Sequence, residues 1–318
     1  MAIWLSETDV ETLLPAEDLL AAMETALSAF STGQVVQPLR TVLDAGRGVF
    51  ATMPMVAQAA LAMGVKLVTV FPPNAQRGQP THQAVIVLLD KETGAFLAAM
   101  DGRYITEART AAVSALSARY LAAPGARKAA ILGSGVQAHA HYVMLSHLGG
   151  IEEWRCWSPT PAHLAGFAER HPGVLPCRSA GEAVRGSDIV VLATSSAAPV
   201  VAADWVSPGA HVISVGACRP HEREIDPGLL AASKLFVDSR ESALRESGDV
   251  AGGIRDGFFR EDHIVAELGS VITGISRFQR CDKDITVFKS LGLAVEDVMA
   301  AELAYRRALS AGVGVKLT

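Results

Sequence analysis

Residues 129–148 read AAILGSGVQAHAHYVMLSHL: an apolar run, then Gly-x-Gly, then a long segment free of Gly and Pro. An apolar run that breaks at glycine and resumes with a helix-like pattern is the first half of a βαβ unit. Apolar runs return at 152–157 (EEWRCW), 188–196 (DIVVLATSS), 211–217 (HVISVGA) and 234–239 (KLFVDS). Helix-like segments such as PAHLAGFAER and SAGEAVRGS separate most of them. Strands alternating with helices specify a parallel sheet covered on both faces. The expected class is therefore α/β, with a Rossmann-type doubly wound parallel sheet.

Within that frame Gly133-Ser134-Gly135-Val136-Gln137-Ala138 fits the G-x-G-x-x-G/A dinucleotide fingerprint. Gly133 makes the tight turn out of the strand, Gly135 lets the backbone approach a pyrophosphate, and Ala138 is small enough for the helix to pack on the sheet. The helix N-terminus offers unpaired N–H groups and the positive end of a dipole. The alternative is a glycine turn in an ordinary α/β domain. Further cofactor contacts are expected from strand ends, at Ser158, Thr160, Thr194, Ser195 and Ser290. After the second strand, CWSPTPAHL holds no carboxylate for a ribose 2'-hydroxyl, and Ser158 and Thr160 suit a 2'-phosphate equally well. The reading leans to NADP(H), with NAD(H) as alternative, although no Arg stands in that loop to clamp the phosphate.

At 318 residues the chain exceeds one ordinary core. Before residue 123 the pattern is less regular: a Met- and Pro-containing segment (50–55), a strand-like MGVKLVTVF, an alternating HQAVIVLLD, and DKETG turning back into AFLAAM as a hairpin. That texture is α+β with antiparallel pairing. A long helix follows, with Thr106 as expected N-cap and Pro124 beyond its end. A last helix from Ser290 carries Leu291, Val295, Val298, Met299 and Leu303 at helical spacing, to pack back on the first lobe. The expected domains are 1–122, completed by 291–318, and 123–290.

The net charge is −5 and no run of Lys or Arg could track a phosphate backbone, so nucleic acid is not an expected partner. The acidic N-terminus lacks the pattern of a secretion signal, and no uncharged apolar stretch spans a bilayer; a cytoplasmic protein without a membrane partner is expected. Cys156, Cys177, Cys218 and Cys281 lie far apart without Cys-x-x-Cys, which predicts neither a metal site nor a disulfide framework. They read as reduced thiols, most of them buried.

Few residues outside the glycine loop invite chemistry. Lys66 lies in a strand-like run, where a Lys is out of place if both faces are covered; the alternative is an edge-strand Lys facing water. Arg109, read as first-turn, opposes the helix dipole, which points to an anionic partner or to simple pairing with Glu107. Asp238 ends a strand and is read first as a cap. His82, His139 and His141 lack metal-ligand spacing and read as hydrogen-bonded structural histidines.

Taken together, VKLVTVFPPN, PTHQAVIVLLD, DGRYITEARTAAVSALSARYLA, GSGVQA, RPHEREID, VDSRESALRESGDV, AELGSVITG and VFKSLGLAVEDV resemble the ornithine cyclodeaminase/mu-crystallin family. The resemblance implies a Rossmann domain for NAD(H) or NADP(H) and a second α+β domain that binds substrate and builds a homodimer. It puts Arg40, Lys66 and Arg109 where the family grips a substrate carboxylate, with Lys66 and Arg109 as the catalytic pair. Cyclodeaminases of the family carry a Glu two residues before a Met-Pro pair and an Asp within Gly-Gly-Asp-Cys-Pro-Gly. This chain has Ala51 before Met53-Pro54, and Cys218 at the Asp position. The pattern is similar to the ketimine reductase branch, which implies an NAD(P)H-dependent reductase of cyclic ketimine carboxylates such as Δ1-pyrroline-2-carboxylate or Δ1-piperideine-2-carboxylate. The alternatives are an ornithine cyclodeaminase, an amino-acid dehydrogenase, or a non-catalytic crystallin-like protein that binds nucleotide and a small ligand.

Overall fold

The chain divides into two units, residues 1–109 with 292–318 and residues 110–291. The computed structural model describes residues 2–58 and 63–317. Met1 and Thr318, the outer ends of the expected first domain, lie outside the described residues. Crossings fall inside the long helix Arg103–Leu121, between Arg109 and Thr110, and just before Gly292.

In chain order the strands are β1 (Ala2–Leu5), β2 (Val35–Val36), β3 (Thr41–Asp44), β4 (Val49–Ala57), β5 (Met63–Val70), β6 (His82–Leu89), β7 (Phe96–Asp101), β8 (Lys128–Leu132), β9 (Glu153–Trp157), β10 (Val174–Pro176), β11 (Ile189–Leu192), β12 (His211–Ser214), β13 (Lys234–Val237), β14 (Ile264–Glu267), β15 (Thr286–Lys289) and β16 (Val315–Leu317). In the first unit they form a mixed sheet, ordered β16-β1-β7-β6-β5-β4-β2, with β3 also on β4. The irregular segment at 50–55 proves to be part of the nine-residue β4. Pro54 is tolerated there because β3 pairs only up to Thr52 and β2 begins at Val56, so no partner on that side needs its missing N–H.

Period-2 alternation decides the two faces of this sheet. Ala51, Met53 and Met55 of β4, Lys66 and Val68 of β5, and Ala84, Ile86 and Leu88 of β6 are buried on one face. The C-terminal helix Ala294–Ala311 packs on that face and against the helix Ala16–Ser31. Gly64 permits the close approach, since a Cβ there would stand 2.4 Å from the Val87 carbonyl oxygen and 3.3 Å from Val298. The opposite face leaves Leu67 at 36% and Val56 at 39% exposure.

The second unit is an all-parallel sheet ordered β10-β9-β8-β11-β12-β15-β13-β14. Continuous apolar runs explain it, because Ile131, Val190, Val212, Phe236 and Phe288 have no solvent-facing side. The order reverses at β8, where the chain winds outward through β9 and β10 and then returns to the other side as β11. That reversal is where doubly wound sheets bind ligands.

Two helix starts differ from the sequence reading. The long helix begins at Arg103, so Thr106 lies inside it and its hydroxyl donates back to the Gly102 carbonyl at 2.8 Å. The last helix begins at Ala294 rather than Ser290, because Gly292 holds a left-handed φ of 82°. Among the described residues no helix is long and apolar enough to cross a membrane.

Candidate active site

At the sheet reversal, β8 is followed directly by Gly133, and the helix Val136–Leu148 begins one residue after Gly135. Gly133 has φ 119°, and its N–H donates to the Trp157 carbonyl at 2.8 Å, which ties the loop to the end of β9. Gly135 is the N-cap, where no side chain caps the helix, and a Cβ there would meet nothing within 4 Å. Gln137, in the first turn, has a buried Oε1 without a hydrogen-bond partner. An uncapped helix start and open space over Gly135 fit a phosphate, and the Gln137 oxygen is free to accept from a hydroxyl or amide donor.

The neighbouring strand ends carry the other expected residues. Ser134 donates to Ser158 at 2.9 Å, linking the glycine loop to the loop after β9, while Thr160 is exposed. Thr194 follows β11, with Ser195 exposed beside it. Ser290 is buried and donates to Asp238 at 3.0 Å, and Asp238 also accepts from the Leu291 and Ser239 N–H groups. Asp238 thus joins the ends of β13 and β15 instead of capping a helix.

Beneath these strand ends lies a buried network that sequence reasoning missed. Glu224 accepts from the Thr194 N–H and hydroxyl, the Ser214 hydroxyl and the Gly216 N–H, all between 2.8 and 3.0 Å. It thereby holds the tips of β11 and β12 together. Asp249 accepts from the Glu224 and Ile225 N–H groups and pairs with Lys289 at 3.0 Å. Burial raises the Glu224 carboxyl above its ordinary value, against the opposing pull of Lys289 and these donors. Burial works against the Lys289 ammonium, yet Asp249, Cys218 and Glu224 together raise it. Only Cys156 and Cys177 of the four free thiols are buried; Cys281 is exposed. Cys218 is half-buried and shares the surroundings of a charged lysine, not an apolar pocket.

The other cluster belongs to the mixed-sheet unit. Lys66 is on the interior strand β5 and only 2% exposed, so the edge-strand alternative does not hold. Arg109, seventh in its helix and beyond the first turn, is also buried. Both reach Asp297 of the C-terminal helix, Arg109 Nε to Oδ1 at 2.9 Å and Lys66 Nζ to Oδ2 at 2.5 Å. Arg109 Nη1 also meets Glu296 Oε2 at 2.5 Å, so its carboxylate partners are Glu296 and Asp297. Arg40 donates to the Gly292 carbonyl at 3.1 Å. A Cβ on Gly292 would stand 2.6 Å from Arg109 Nη1, so glycine is required for space as well as for its φ.

The electrostatics follow from this crowding. Burial lowers the Lys66 ammonium to about 8, opposed by Asp297 and assisted by Arg109 and Arg40. Burial alone would raise the Asp297 carboxyl, but Arg109 and Lys66 hold it below its ordinary value. Burial, then the Lys66 charge, pushes the His82 imidazole down to about 4, so it is neutral near pH 7. Three cations, Arg40, Lys66 and Arg109, face two carboxylates, Glu296 and Asp297. Guanidinium and ammonium groups gathered at one buried spot suit a carboxylate ligand. Beside it on the same sheet face Ala51, Val68 and Ala84 form a small apolar patch.

The family model for the ornithine cyclodeaminase/mu-crystallin family matches residues 2–312, and the chain belongs to this family. It is 42% identical over 309 residues to a ketimine reductase mu-crystallin from Rattus norvegicus, covering 95% of this chain and 96% of that one. Its fold is similar to that of Thermococcus litoralis Delta(1)-pyrroline-2-carboxylate reductase in complex with NADH and L-proline, at TM-score 0.96 and 36% identity, over 99% of this chain and 100% of the other. An archaeal alanine dehydrogenase dimer with bound NAD matches at TM-score 0.95 and 31% identity, over 100% and 99% of the two chains.

Proposed function

We propose that this chain is an NAD(P)H-dependent reductase of cyclic ketimine carboxylates, giving a cyclic L-amino acid such as proline or pipecolate. The carrying observation is the cluster that brings Lys66, Arg109 and Arg40 together around Asp297, Glu296 and the Gly292 carbonyl, a set of cations suited to a carboxylate. The substrate carboxylate is held by these cations. The patch of Ala51, Val68 and Ala84 receives the ring methylenes and offers no group that a linear diamine would need. The names of the Rattus and Thermococcus relatives support the same reaction class.

Gly133, Ser134, Gly135, Val136 and Gln137 would hold the nucleotide, with Ser158, Thr160, Thr194, Ser195 and Ser290 at the surrounding strand ends. When bound, the reduced nicotinamide supplies a hydride for the imine carbon. Arg109 and Lys66 orient the carboxylate so that one face of the C=N bond is presented, and positioning supplies much of the rate. The imine nitrogen brings its proton from solution. The loop after β9 offers hydroxyls and no carboxylate, so NADP(H) is favoured and NAD(H) is the alternative. A homodimer built on the open face of the mixed sheet is part of the reading, as is a cytoplasmic setting. The alanine dehydrogenase likeness favours a second reading, reductive amination of a small oxo acid, which the alanine-lined patch also fits.

Oxidation of NADPH and NADH is measured with Δ1-pyrroline-2-carboxylate, Δ1-piperideine-2-carboxylate, and pyruvate plus ammonia. Turnover of a cyclic imine is expected. Turnover of pyruvate alone would select the second reading, and no oxidation with any of them would leave a ligand-binding protein.

A further inference from the structure

We infer that Asp297 is the positioning residue that sets the spacing of the two cations, Arg109 and Lys66, that grip the substrate carboxylate, and that keeps Lys66 charged. The inference rests on the proposed reading of the cluster and goes beyond it, since it assigns a role to a residue that touches neither substrate nor cofactor. Lys66 comes from β5 and Arg109 from the long helix, and the Asp297 side chain is bonded to both, one oxygen to each. Glu296 pairs with Arg109 and also accepts from the Leu293 N–H at the start of the C-terminal helix. Asp297 is fully buried, so no water competes for its oxygens.

Two consequences follow from that geometry. A carboxylate shared between a flexible ammonium and a planar guanidinium fixes their separation, which a carboxylate substrate then reads as a preformed clamp. The same carboxylate keeps Lys66 charged against burial. The charged or titratable groups around Lys66 are Asp297 from the C-terminal helix, Arg109 from the long helix, Arg40 ahead of β3 and His82 from β6. His82 is neutral, Arg40 and Arg109 repel the ammonium, and Asp297 alone of the four attracts it.

Asp297→Asn and Asp297→Glu separate spacing from charge. The Asn variant keeps the shape and removes the charge. It is expected to raise KM for the cyclic imine on the order of tenfold or more, and to move the alkaline fall in kcat/KM about one pH unit or more towards acid. The Glu variant keeps the charge and lengthens the arm, so KM rises while the alkaline fall stays in place. Nucleotide affinity, read by NADPH fluorescence, stays at the wild-type value in both. A purely structural Asp297 would lower the unfolding temperature and leave KM and the alkaline limb where they were, which overturns the inference; if the Asn variant does not fold, the KM of the Glu variant decides alone. Titration of Lys66 by NMR of protein carrying ¹³Cε-labelled lysine, in wild type and Asp297→Asn, needs no turnover. A Lys66 midpoint unmoved by the substitution sinks the inference even if imine reduction is found, and a moved midpoint in a protein that reduces no imine sinks the proposed function alone.

Discussion

A Cβ built on Gly133 would lie 2.2 Å from the carbonyl oxygen of Ala193, whereas one built on Gly135 would meet nothing. The two glycines of one fingerprint therefore differ: Gly133 is required by the packing of β8 beside β11, whereas the space over Gly135 is open. Gly133 also has φ 119°, a conformation that L side chains rarely adopt.

Gly135→Val is accordingly expected to fold with nearly wild-type thermal stability and to lose nucleotide binding, because its side chain occupies the space over the helix N-terminus. Gly133→Ala is expected to lose stability, by about 1–3 kcal/mol or more for the backbone strain and the clash. NADPH fluorescence titration and thermal unfolding, run on both variants, check this. Wild-type nucleotide affinity in folded Gly135→Val would mean that the glycine loop is only a turn.

The open face of the mixed sheet carries Val65 and Leu67 of β5 between Pro54 and Thr52 of β4 and Val87 and Val85 of β6. A central, three-strand apolar face facing water is costly, at roughly 25 cal/mol for each Å² left uncovered. Leu67→Lys is expected to convert a dimer into a monomer in sedimentation or light scattering while the isolated subunit stays folded. A wild type that runs as a monomer at micromolar concentration would remove this interface.

Much of the fold was legible because it rests on local periodicity. The strands of the parallel sheet announce themselves as continuous apolar runs, and the glycine spacing marks the reversal of the sheet. The first unit was harder to read, since Pro54 makes β4 look like a break and only the gap between β2 and β3 explains why it is not. Within the charged cluster, Arg40, Lys66 and Arg109 were noticed, but their partners were not. Glu296 and Asp297 open the last helix, where acidic residues ordinarily complement the dipole and face solvent. Their complete burial comes from the packing of that helix on β4, β5 and β6, which is long-range and leaves no trace in local spacing. The signal available was the pair of acids embedded in an otherwise apolar stretch, LAVEDVMAA, with no lysine or arginine within one turn. Glu224 and Asp249 were missed for the same reason, as each is paired through strands far away in the chain.

Ala51 and Cys218 decide whether this chain can close a ring as well as reduce one. Cyclisation of ornithine requires its distal amine to be held and relieved of a proton before it attacks an α-imine, which is work for a carboxylate within hydrogen-bond reach. Ala51 stands opposite Val68 in the register of β4 and β5, in a patch completed by Ala84, and brings no polar atom. The thiol of Cys218 donates to the Val215 carbonyl at 3.4 Å, so its hydrogen is already engaged with the backbone, and the carboxylates in that unit's buried network are committed to Lys289 and to backbone donors. A preformed cyclic imine needs none of this, because its ring is closed and only hydride and a proton are wanted. The wild type is therefore expected to reduce cyclic imines and to release no ammonia from ornithine, with or without added NAD. Ammonia release coupled to proline formation, at a rate comparable with imine reduction, would restore a cyclodeaminase and require that a base other than residues 51 and 218 serve the ring closure.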